Sequence, residues 1–116
     1  MIKEDYVSFE TAKLLKEKGF NPIECGMYYS ITTGKRTTEL LTSLIACPTL
    51  QMAMKWLREV HNIHNEIRYF PLSNIYRYVI VYSSASFKNI DSHPLYFNTY
   101  EEACEAAIKY CLENLI

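Results

Sequence analysis

No apolar run in this chain of 116 residues approaches the ~20 residues that a membrane-spanning helix needs. Neither sign of charge dominates: 12 Lys and Arg against 13 Asp and Glu leave a formal net charge of -1. Such a chain has no global field to gather nucleic acid or an anionic membrane. The opening residues MIKEDYVSFE are charged and contain no hydrophobic signal segment. The four cysteines, Cys25, Cys47, Cys104 and Cys111, form no C-x-x-C pair. Cys104 and Cys111 fall on one helix, about 10.5 Å apart along its axis at ~1.5 Å per residue. That separation is too long for a disulfide. The expectation is an intracellular, cytoplasmic protein whose cysteines act as small buried hydrophobes. Catalytic signatures are missing too. Gly34 and Lys35 lack the upstream glycine and following helix of a phosphate loop. There is no nucleophile elbow, no Ser-His-Asp spacing and no H-E-x-x-H. The expectation is a protein that is not an enzyme, with no catalytic residues, no cofactor and no metal.

What is present is enough for a core. Apolar residues make up 49% of the chain, too many for a disordered one. A chain of this length fits one domain, residues 1–116, with a radius of gyration of about 13 Å. The clearest helical pattern is PTLQMAMKWLREVHN, from Pro48 to Asn62. Leu50, Ala53, Met54, Leu57 and Val60 fall on one arc, with Trp56 on its flank. Thr49 is a suitable N-cap, because its hydroxyl can accept a bond from a free first-turn amide. The arc predicts a central helix that packs Trp56 and Leu57 onto a sheet.

Ser8 to Lys18 predicts an earlier helix with Thr11, Ala12, Leu14 and Leu15 inside. Gly19, Phe20 and Pro22 form a stop in which Phe20 packs back on Leu15. Met27 to Leu41 predicts a hairpin, with a turn at Thr33 to Arg36 and TTELL as the returning strand. Ser43 to Cys47 then reads as a connection. After the central helix, Ile63 to Phe70 alternates as a strand, with Ile63, Ile67 and Tyr69 on one face. Pro71 to Asn74 is a turn. Tyr76 to Tyr82 has apolar residues on both faces and predicts a central strand. Ser83 to Pro94 reads as a polar loop, and Leu95 to Phe97 as a short last strand. Thr99 to Leu115 closes the chain as a helix opened by a T-x-x-E capping box. Its inner face holds Ala103, Cys104, Ala107, Ile108 and Cys111, and its outer face holds Glu102, Glu105, Lys109 and Glu113. The sum is an α+β fold: a mostly antiparallel sheet, hairpin plus three-stranded meander, packed against three helices.

Three segments carry a resemblance: VSFETAKLLKEKGF (Val7 to Phe20), PTLQMAMKWLRE (Pro48 to Glu59) and TYEEACEAAIKYCLENLI (Thr99 to Ile116). In this order they resemble blocks in a group of short proteins of Bacteroides-type gut bacteria and their phages and prophages. The resemblance implies a bacterial cytoplasm and a mobile-element origin, and it supplies no site residues. From Pro48 to Ile116 the order helix, three strands, helix is similar to that of double-stranded RNA-binding domains. The alanines at 103, 106 and 107 match that family's closing helix. The family places lysines at the start of this helix, where they meet phosphates; here Glu101 and Glu102 stand there. The family's Gly-Pro-x-His element is missing from the loop after the first strand.

Candidate chemistry is sparse. His61, His64 and Glu66 make an H-x-x-H-x-E cluster at a helix-to-strand junction, which binds zinc only if the side chains converge. Solvent-facing junction histidines are the better reading, and His93 stands alone in a loop. Tyr76, Tyr78 and Tyr82 share one strand face, a stacking platform for bases or sugars if exposed and core if covered. The leading expectation is a small non-enzymatic module that binds another protein or a second copy of itself. A nucleic-acid binder built on the second half is the alternative, and no membrane partner is expected.

Overall fold

Three hydroxyl residues start the three helices of the computed structural model, which describes residues 2–20, 25–31, 33–38, 44–83 and 87–116. Ser8 caps α1 (Phe9–Glu17) by accepting from the Thr11 amide at 3.2 Å. Thr49 caps α2 (Leu50–His61) through the Met52 amide, and Thr99 caps α3 (Tyr100–Asn114) through the Glu102 amide, each at 3.1 Å. Each bond satisfies one amide that the helix itself leaves without a partner. The stop of α1 forms as its residues predict. Gly19 takes φ +95, its amide donates to the Lys16 carbonyl, and the Phe20 amide donates to that of Leu15 at 2.9 Å. This is a Schellman closure, and it buries Phe20. Asn62 ends α2 in the left-handed region, which asparagine tolerates better than most residues.

The strands form two antiparallel sheets rather than one. In the first, β1 (Tyr28–Ser30) lies between β2 (Arg36–Thr37) and β3 (Leu44–Ala46). The expected hairpin is present, but its returning strand is short, and residues 39–41 lie outside the described residues. Leu44–Ala46, expected as a connection, is instead the strand that covers the other edge of β1, with Tyr29 opposite Ile45. Three residues are too few to display an alternation. Only the exposed edge of β1 gives them a partner.

In the second sheet β5 (Ile75–Ser83) is central, between β4 (Ile63–Phe70) and β6 (Phe87–Asp91). Ile63 pairs with Tyr82 and Phe70 with Ile75, closed by the turn at residues 71–74. Two expectations fail here. The stretch read as a polar loop contains β6, with residues 84–86 outside the described residues. Leu95 to Phe97 is not a strand; only a single bridge, Tyr76 to Phe97, joins it to the sheet. An edge strand turns one side of its pleat to solvent, so the polar residues of β6 resemble those of a loop.

The core lies where α3 meets the other two helices and the second sheet. α3 packs against α1, α2, β4 and β5, whereas α2 packs against β4 and α3. Leu57, Ile80, Ile108 and Leu112 are fully buried in one cluster that also takes in Tyr29 and Ile45 of the first sheet. The closing helix is therefore the hub, not the helix from Leu50 to His61. Trp56 is only half-buried: it packs edge-on against Phe20 at 5.3 Å and His61 at 4.8 Å, on the flank rather than on the sheet. Val60, expected inside, is 60% exposed. Periodicity defines the arc of a helix but not how far along it the neighbouring layer reaches. The molecule measures 44 × 39 × 21 Å with a radius of gyration of 14.9 Å, flatter than the near-sphere its length suggests. Its thin dimension is that of two packed layers, each ~10 Å deep.

Candidate functional site

Residues 5–7 lie across the start of α2. The Leu50 amide donates to the Asp5 carbonyl at 2.9 Å, and the Val7 amide to that of Pro48 at 3.0 Å. α3 starts nearby, and the seam between them opens as a cleft of about 520 Å³. Its apolar surface comes from Tyr6, Leu50, Phe97 and Ala106; its acidic border comes from Asp5, Glu101, Glu102 and Glu105. A smaller depression of about 140 Å³ continues it across Asp5, Leu50 and Glu101 towards Lys3, Gln51 and Tyr100.

Glu105 differs from the other carboxylates. Its Oε1 accepts from Thr11 Oγ1 at 2.6 Å and from the Ser8 amide at 3.0 Å. It thereby ties α3 to the first turn of α1, against a Thr11 that is fully buried. The expectation that Glu105 belongs to the outer face of the closing helix is corrected by this contact. Glu105→Ala removes a charge-assisted acceptor from a buried hydroxyl, so a loss of about 2 kcal/mol is expected. Urea unfolding at neutral pH measures it, and an unchanged midpoint would show that the clamp contributes nothing. Asp5, Glu101 and Glu102 are exposed, and among the described residues none makes an ion pair. Behind the Tyr6 side of the cleft stands Arg36, whose guanidinium lies 4.8 Å from the centre of the Tyr6 ring.

The candidates named from sequence do not assemble into a site. His61 packs on Trp56, with its Nε2 buried and unpartnered, while the exposed His64 meets Asn62 at 3.1 Å. Glu66 pairs with Arg68 at 3.3 Å. Among the described residues no three His, Cys, Asp or Glu side chains group as metal ligands would. The tyrosine face of β5 is covered. Tyr78 is buried and stacks on Phe97 at 5.9 Å, and Tyr76 and Tyr82 are half-buried. Cys47, Cys104 and Cys111 are buried free thiols. Burial pushes Cys104 up to about 11 and Cys111 up to about 12, far from the thiolate that reactive chemistry needs. His93 stays on the surface beside Tyr96.

The cleft itself was not readable from any one segment. Asp5 and Tyr6 carry no helix or strand pattern, and Glu101 and Glu102 read as the ordinary acidic first turn of a helix. A second surface feature lies on α2, where the exposed Met52 and Val60 flank the partly buried Trp56 in an apolar row beside Phe20. Among the described residues no helix is long and apolar enough to cross a membrane. No protein-family model, curated protein or solved structure matches the chain.

Proposed function

We propose that this chain is a small non-enzymatic protein-interaction module of phage or mobile-element origin, working in a bacterial cytoplasm, and that a partner protein docks in the acidic-bordered cleft. The observation that carries this reading is the pairing of an apolar floor with three carboxylates, Asp5, Glu101 and Glu102, that make no ion pair among the described residues. A partner segment bearing Lys or Arg suits it: the aliphatic stem covers Leu50 and Phe97 while the charged head meets Asp5, Glu101 and Glu102. Each exposed pair contributes only ~0–1 kcal/mol, so the charges set specificity and association rate, and the apolar contact supplies the rest.

Catalysis fits the cleft poorly. Carboxylate chemistry needs one acid in a desolvated setting beside one that stays ionised. Here three of the four are exposed, and the fourth holds Thr11 and Ser8. Nucleic-acid binding is the second reading, favoured by the order α2-β4-β5-β6-α3. The phage or mobile-element origin is supported by the three sequence blocks alone.

A photo-crosslinking amino acid at position 102, in cells that naturally encode the chain, tests the docking site. The expected result is one protein adduct, identified by mass spectrometry, that raised salt diminishes. The control is position 113, about 16 Å further along α3 at ~1.5 Å per residue. Equal adducts at both positions, or none at 102, would remove the cleft as the docking site.

A further inference from the structure

Met52, Trp56 and Val60 are spaced by four, so they form one continuous ridge along α2. The ridge is not core. Met52 is 37% exposed, Val60 is 60% exposed and Trp56 is half-buried. Beside it runs a shallow groove of about 170 Å³, walled by Phe20 and by a second ridge with the same spacing, Lys55 and Glu59. Those two charges face each other at 3.9 Å, and each side chain is about two-thirds exposed, at 63% and 66%.

We infer that this face of α2 docks against the same face of a second copy of the chain, across a two-fold axis near Trp56. Ridges spaced by four pack into the grooves between such ridges, the commonest way helices cross. About the axis, Met52 of one copy meets Val60 of the other, and the two Trp56 rings meet at the centre. The same operation brings Lys55 to within about 3 Å, along the helix direction, of the partner's Glu59, at ~1.5 Å per residue. A surface with one cation and one anion on the same flank is complementary to itself only in this antiparallel sense. A foreign helix would have to reproduce that alternation, whereas a second copy carries it already. The ridge is only three residues long, whereas a standard interface uses about 20–30 residues a side, so the dimer is weak and concentration-dependent. This surface is separate from the acidic cleft, and the inference does not depend on it.

Sedimentation velocity of the full chain between ~10 µM and ~1 mM reads the association directly. Trp56 is the only tryptophan in the sequence, so its emission should shift to the blue as the dimer fills. Val60→Glu should weaken association by about tenfold or more without moving the thermal unfolding midpoint, because Val60 is exposed in the monomer. Lys55→Glu alone and Glu59→Lys alone should each weaken it, and the double exchange should restore it. A chain that stays monomeric at ~1 mM overturns the inference. So does a dimer indifferent to Val60→Glu, or a double exchange that fails to restore association.

Discussion

Leu57→Ala is expected to lower the stability of this protein by about 3–4 kcal/mol, the typical cost of a buried Leu-to-Ala change. Leu57 has no exposed surface, sits in the last half of α2 and belongs to the cluster that joins α2, β4, β5 and α3. Removing its side chain forfeits the transfer free energy and leaves a cavity that packed helices close only in part. A domain of this size has about 6–17 kcal/mol in total, so the loss is a large fraction of it. Trp56→Ala is expected to cost less, despite the larger side chain. Trp56 lies at the margin of the core and is only partly buried, with ring contacts to the edges of Phe20 and His61. Urea unfolding of the two variants ranks them. A greater loss in Trp56→Ala would place the centre of the core on the flank of α2 and refute the assignment.

A generic RNA duplex at ~150 mM salt is expected to show no binding. Phosphate contacts supply most of the affinity of such complexes, and each needs a cation held against the backbone. If the order α2-β4-β5-β6-α3 worked as a duplex-binding domain, the similarity proposed from the sequence, the cations would stand at the start of α3. That first turn carries the exposed Glu101 and Glu102 instead. The helix dipole offers roughly half a positive charge at this end, which two carboxylates outweigh. The open face of the second sheet does not compensate. Arg68 is paired with Glu66 at 3.3 Å, and Arg77 with Asp91 at 3.4 Å while it lies over the Phe70 ring. A fluorescence-anisotropy titration decides the point. Micromolar binding that falls steeply with added salt would displace the protein-partner reading; a flat titration leaves it in front.

Sequence by itself determined the three helices almost to the residue, because helix ends are local. A hydroxyl at Ser8, Thr49 or Thr99 and a glycine at 19 act on amides and carbonyls within one turn. It determined β4 and β5 as well, since eight or nine residues suffice to show which faces are apolar. The α+β class followed from those elements. Tertiary structure alone decided the rest. β3 and β6 are strands because β1 and β5 offer them an edge, and in isolation they read as connections. Glu105 turns inward because α1 brings Thr11 and Ser8 to it from 94 and 97 residues away. Val60 stays outside because the layer covering α2 ends before its last turn. The cleft joins residues 5–8, Leu50 and residues 97–106, which meet only when the chain has folded. Periodicity and capping are properties of a segment, whereas an edge, a cleft or an exposed ridge depends on what the rest of the chain places beside that segment.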